Sequence, residues 1–180
     1  MARLRVLGVD PGTVVAGWGM LETGESGSAR RLGSGTWRLG GRRPVVERLL
    51  SLRTSLEQVI AEWRPGLLAV EAAFFGRNAR SALRLGEARG VILAGAAAAG
   101  LEVVEFPPAW VKRRVGGSGL ISKEGMGVLV AAQLELDPCF DSTDESDALA
   151  VALCAVLERH VLTPELRHNE AGLPRGAELQ

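Results

Sequence analysis

With 180 residues, 47% of them apolar, the chain has material for one domain with a sizeable core. Its 21 basic and 21 acidic residues cancel, which argues against a wholly basic nucleic-acid binder. No apolar run reaches the roughly 18 residues of a membrane span, and the two cysteines show no CxxC or nearby His pair, which excludes a disulfide framework and a zinc site.

The pattern opens with strands. Residues 4–9, 15–21 and about 30–39 are short, apolar or β-branched runs separated by turns containing Gly or Ser, as in an antiparallel meander. The period then changes. Val45, Leu49, Leu52, Leu56, Val59 and Ile60 recur at helical spacing, with Pro44 suited to a first turn and "RPG" to a stop. Residues 67–75 read as a buried strand, and Asn78 or Ser81 as the cap of a helix running to about Ala99. Gly100 follows as a C-cap, then a strand at 101–106, a short helix at 110–115 and the loop "GGSG". Ser122 caps a helix expected to reach Leu136. The last helix opens with a Ser142–Glu145 capping box and runs to His160. Cys154, amid "ALAVALCAVL", reads as a core residue. This order predicts an α/β fold with a mixed sheet and helices on both faces. Residues 1–160 are expected to form the domain and residues 161–180 a disordered tail. The N-terminus carries no stretch like a signal peptide, so a cytoplasmic location is expected.

The acids are the unusual feature. Asp10 closes the first strand, yet no Lys or Arg occurs from Leu7 through Ala29 to pair with it. Glu71 stands near the end of another buried run. Asp144 and Asp147, three apart, share one face of an apolar helix. Each taken alone is as readily structural as functional, and Asp144 gains from the helix dipole wherever it points. Side by side, four carboxylates would repel one another. Divalent cations resolve that conflict, since Mg²⁺ and Mn²⁺ take oxygen ligands and a two-ion site clamps an in-line phosphoryl displacement. Charge is also segregated along the chain. From Arg77 to Lys123 there are eight basic residues against three acids, and from Glu124 to Asp147 seven acids and no base. A basic band beside an acid-dense segment suits a protein that holds phosphate and cations together.

The segments "LGVDPGTVVAGWG", "VEAAFFGRNARSALRLGEARGVIL", "WVKRRVGGSGLISKEGMGVLV" and "DESDALAVALC" resemble, in that order, the RuvC family of crossover-junction endodeoxyribonucleases that resolve Holliday junctions. The resemblance spans residue 4 to about residue 159. It implies an RNase H-like fold with a mixed five-stranded sheet. It also implies a homodimer and paired, metal-dependent nicking of a four-way DNA junction in recombination and repair, with two Mg²⁺ or Mn²⁺ ions per site. By motif position it makes Asp10, Glu71, Asp144 and Asp147 the catalytic carboxylates, with Asp10 shared by both ions. Phe74 matches an aromatic that contacts junction bases, and Lys112 and Lys123 match lysines near the DNA backbone. Arg77, Arg80 and Arg84 are placed along the same channel or, equally, on an exposed helix face. A RuvA–RuvB branch-migration complex is the implied partner, with no membrane. The Ala- and Gly-rich helix "RGVILAGAAAAG" suits a dimer interface as well as packing on its own sheet. The alternatives are another RNase H-like nuclease, a catalytically idle junction-binding module, and an actin-like phosphotransferase, for which 180 residues leave no second domain.

Overall fold

The first strand ends up at the centre of the molecule. The computed structural model describes residues 3–24, 28–72, 79–117 and 121–158, without the side chain of Lys123. Among these residues the order is β1 (Arg5–Asp10), β2 (Val15–Thr23), β3 (Ala29–Arg38), α1 (Val45–Trp63), β4 (Leu67–Glu71), α2 (Ala79–Ala98), β5 (Glu102–Phe106), α3 (Pro108–Gly116), α4 (Lys123–Gln133) and α5 (Thr143–Glu158). The sheet runs β3-β2-β1-β4-β5. The meander β1-β2-β3 is antiparallel, and β4 and β5 join parallel through helical crossovers, giving the expected mixed sheet.

Alternation along the strands sorts side chains onto two faces. Leu7 and Val9 of β1 and Leu68 and Val70 of β4 enter one core with Leu52, Leu56, Ala88 and Ile92 of α1 and α2. Val6 of β1 and Leu67 and Ala69 of β4 enter the other, with Val111, Val130 and Leu149 of α3, α4 and α5. Each fully buried aliphatic side chain contributes about 1.5–3 kcal/mol. The same parity assigns Asp10 and Glu71, at the ends of β1 and β4, to the face that α5 covers.

α5 is apolar around most of its circumference, with every residue from Ala148 to Val156 buried. A helix of that kind needs cover on all sides. The sheet lies beneath it, and α3 and α4 pack against it. Its approach to the sheet is close. A Cβ on Gly8 would overlap the Ala148 carbonyl, and a Cβ on Gly17 would overlap the Asp144 carbonyl.

Several element ends differ from the sequence expectation. α4 stops at Gln133 rather than Leu136, because Glu135 turns left-handed at φ 55°. α3 begins at Pro108, since a proline lacking an N–H fits a first helical turn as readily as it ends a strand. Pro44 precedes α1 instead of lying within it, and Arg64, left-handed at φ 48°, ends that helix. Ser81 lies inside α2 and so does not cap it. Asn78, the far part of the strand expected at 67–75, and the tail fall outside the described residues. Ser122 caps α4 as expected, its Oγ accepting from the Gly125 N–H at 3.1 Å. No helix among the described residues is long and apolar enough to cross a membrane.

Candidate active site

The parallel register Val9↔Val70 brings the ends of β1 and β4 together, so Asp10 and Glu71 finish neighbouring strands. The Ala72 N–H donates to the Phe106 carbonyl at 2.8 Å and carries the β4–β5 ladder past Glu71, which fixes that strand end. On the other side of β1, Asp10 pairs with Gly17, and the first turn of α5 sits on Gly17. One turn further along, Asp147 reaches the same place.

Asp10, Glu71 and Asp147 line one cavity of about 240 Å³. Lys112 and Pro108 of α3 form part of its wall, and Val111, Met126, Ala150 and Val151 supply apolar lining. Three of the four expected carboxylates and one of the two expected lysines therefore meet. Asp144 does not line this cavity. Its carboxylate accepts from the Ser142 hydroxyl at 3.4 Å. Lys123 opens α4, but its side chain lies outside the described residues, as do Phe74 and Arg77 entirely.

Arg80 and Arg84 go elsewhere. With Thr13, Ser81 and Leu85 they line a second cavity of about 410 Å³. The turn that follows Asp10 thus has acids on one side and guanidinium groups on the other. Arg84 also pairs with Glu87 of its own helix at 2.8 Å.

Among the described residues no three His, Cys, Asp or Glu side chains close into a metal-holding group by themselves. The donors around the first cavity are nevertheless all carboxylate oxygens. They fit a hard cation of the Mg²⁺ class, which keeps several waters and completes its shell with substrate phosphate.

Two supports were not visible in the sequence. Glu145, expected to complete a capping box, does donate its own N–H to the Ser142 hydroxyl oxygen, at 3.4 Å. Its buried carboxylate, however, accepts from the Asp141 N–H at 2.7 Å and from the Ser34 hydroxyl of β3 at 2.6 Å. The first turn of α5 is thereby tied to the sheet. Arg48, one turn before Leu52 on the buried side of α1, donates to the Thr13 carbonyl at 2.8 Å. Nothing in the local pattern marked a 111-residue or a 35-residue link.

Known proteins agree with this construction. The family described as "Crossover junction endodeoxyribonuclease RuvC" matches residues 6–155. The chain is 42% identical over 172 residues to the RuvC of Myxococcus xanthus, covering 95% of this chain and 84% of that one. It is 41% identical over 158 residues to the RuvC of Heliobacterium modesticaldum, covering 88% and 95%. Among solved structures it resembles Thermus thermophilus RuvC in complex with a Holliday junction substrate, with a TM-score of 0.82 and 30% identity over 88% of this chain and 96% of that one. The yeast mitochondrial Holliday junction resolvase shares the fold, with a TM-score of 0.63 at 13% identity, over 87% of this chain and 81% of that one. The order of motifs, the sheet that unites Asp10 with Glu71 and the match over residues 6–155 agree: the chain belongs to the RuvC family of crossover junction endodeoxyribonucleases.

Proposed function

We propose that this protein resolves four-way DNA junctions by hydrolysing one phosphodiester in each of two opposed strands. The observation that carries the reading is the meeting of Asp10, Glu71, Asp147 and Lys112 around one cavity in a chain of this family. Asp10 sits on the central strand between β4 and the start of α5, which suits it to serve as a shared ligand for two divalent ions. Glu71, Asp144 and Asp147 complete the donor set. Cations held there supply Lewis-acid stabilisation and a nucleophilic water. Lys112 presents a positive charge to the scissile phosphate, where it stabilises charge that develops on the non-bridging oxygens. Water oxygen bonds to phosphorus as the bond to the 3′ oxygen breaks, leaving 5′-phosphate and 3′-hydroxyl ends.

The rest of the DNA is held by charge. Arg80 and Arg84 in the second cavity suit a phosphate away from the scissile one, with Lys123 and Arg77 extending the basic band. Phe74 suits stacking on an unpaired base. Because the net charge is zero, affinity rests on this local band and falls steeply with salt.

Two cuts related by symmetry call for two copies of the chain. On α2, Leu83, Gly86, Gly90, Ala94 and Ala97 form an exposed stripe of small and apolar residues, and a Cβ on Gly86 or Gly90 would meet only open space. That stripe suits the partner's equivalent helix. The domain is residues 1–160, with the tail beyond it. A protein acting on chromosomal junctions belongs in the cytoplasm, beside a RuvA–RuvB branch-migration complex.

The test is cleavage of a labelled mobile four-way junction in Mg²⁺ and in Mn²⁺, beside linear duplex and RNA–DNA hybrid. Paired symmetric nicks on the junction alone are expected, abolished by Asp10→Asn and by chelation. Cutting of the hybrid instead would overturn the substrate. Tight binding without cutting in either ion would make this an idle binding module. A monomeric mass in sedimentation at micromolar concentration would overturn the dimer.

A further inference from the structure

The turn between Asp10 and Val15 has to hold two cavities apart, and it is tied to α1 by a side chain that the family resemblance did not assign. Arg48 is 9% exposed. Its Nη1 donates to the Thr13 carbonyl at 2.8 Å, while its Nε is buried and has no hydrogen-bond partner among the described residues. None of the ion pairs among the described residues includes Arg48. Burying a guanidinium without a carboxylate is costly, and a Met or Leu would fill the same space more cheaply. A charge kept under those conditions points to the group it holds.

That group is the turn itself. β1 ends on Asp10 in the acidic cavity, and three residues later Thr13 lines the arginine cavity. The turn is close-packed, because a Cβ on Gly12 would overlap the Val15 carbonyl. The Val14 carbonyl accepts from the Leu39 N–H at 2.9 Å, which anchors the far side of the turn to the chain leaving β3. Arg48 holds the preceding carbonyl, that of Thr13, from α1. With two consecutive carbonyls held, the short, close-packed link through Pro11 and Gly12 leaves Asp10 little freedom where it leaves the sheet.

We propose that Arg48 is a positioning residue for Asp10: by holding the Thr13 carbonyl it sets the register of the turn between the acidic and the arginine-lined cavities. This rests on the resolvase reading above. Misplacing a reacting group by about 1 Å can cost on the order of 10²-fold in rate. Arg48 itself lines neither cavity and reaches the second only through the Thr13 backbone, so its loss should act on turnover and on metal affinity far more than on DNA affinity.

The experiment compares Arg48→Met, which keeps the stem and removes every donor, with Arg48→Lys, which restores one. Single-turnover cleavage at saturating junction, junction affinity in EDTA, and thermal stabilisation by Mn²⁺ in the absence of DNA are measured for each. Arg48→Met is expected to cut roughly 10- to 100-fold more slowly, with junction Kd within about threefold of wild type. Its Mn²⁺ stabilisation should need a higher ion concentration, by linkage of binding to the folded state. Arg48→Lys should recover most of both. Should Arg48→Met melt below the assay temperature, Arg48→Gln, which keeps an amide donor, takes its place, and a response to Mn²⁺ like that of Arg48→Lys is expected. A wild-type rate in Arg48→Met, a loss of DNA affinity as large as the loss of rate, or a lysine variant no better than methionine would each overturn the proposal. If wild type leaves junctions uncut, the resolvase reading fails, while the Mn²⁺ comparison still decides the role of Arg48. If wild type neither cuts nor gains stability from Mn²⁺, the metal site and the role of Arg48 fall together.

Discussion

Gly17 of β2 lies directly beneath the carbonyl of Asp144 in α5, so that any side chain at Gly17 would occupy the space of that oxygen. Because Gly17 is also the cross-strand partner of Asp10, the contact sets the height of the first turn of α5 above the end of β1. Gly17→Ala is expected to lower stability by about 1–3 kcal/mol, as overpacking generally does. It should also slow cleavage by raising Asp144 and Asp147 away from Asp10. Urea denaturation and single-turnover cleavage test this together. Wild-type behaviour in both would mean that α5 docks elsewhere.

Glu145 and Ser34 make a second, independent tie between α5 and the sheet. Ser34→Ala removes a 2.6 Å hydrogen bond from a buried carboxylate, at an expected cost of about 1–3 kcal/mol. Ser34 lines neither cavity, so a fall in cleavage rate in this variant would report the position of the helix rather than lost chemistry. Unchanged stability would show that water replaces the hydroxyl without cost.

Glu22 gives a test in acid. The Arg30 guanidinium, and after it Arg5, hydrogen-bond its carboxylate and hold it below the ordinary glutamate range against the opposing effect of burial, with Arg30 and Arg3 adding charge attraction. A depressed value in the folded state means that the unfolded chain takes up its proton first. The stabilisation is therefore complete at neutral pH, declines as pH drops below about 4.5 and is lost once pH passes the folded value. Wild type should melt above Glu22→Gln at pH 7, and the two should converge on acidification. A gap that stays constant from pH 7 to about 3 would contradict the linkage.

The two cysteines should behave differently. Cys154 is fully buried, and burial, reinforced by Glu158 and opposed by Arg114, pushes its thiol up to about 12. Cys139 is exposed. At pH 8 a thiol reagent should modify one cysteine in the native protein and both after denaturation. Two equivalents in the native state would place α5 outside the core.

The sequence made the periodic elements legible, because β alternation and the stripe on α1 are local signals. It also made Asp10 conspicuous, since a carboxylate closing an apolar strand with no nearby base has no local explanation. What it could not show were relations between distant segments. Gly8, Gly17 and Gly19 fell inside runs read as strands, and their use as a seat for α5 depends on which helix lies over them. Arg48 sat among apolar positions of α1, yet only packing shows that it points inward. Asp144 and Asp147 shared a face by spacing, but the small rotation between them puts only Asp147 in the cavity.

The carboxylates come from positions 10, 71 and 147, and the last of these arrives on a helix that is itself a large share of one core. On the proposed function, the set of carboxylates is therefore complete only once α5 has docked on the sheet, the same step that closes this core. A copy in which α5 has come away from the sheet is expected to leave junctions uncut, so that loss of this core and loss of cleavage should coincide on denaturation.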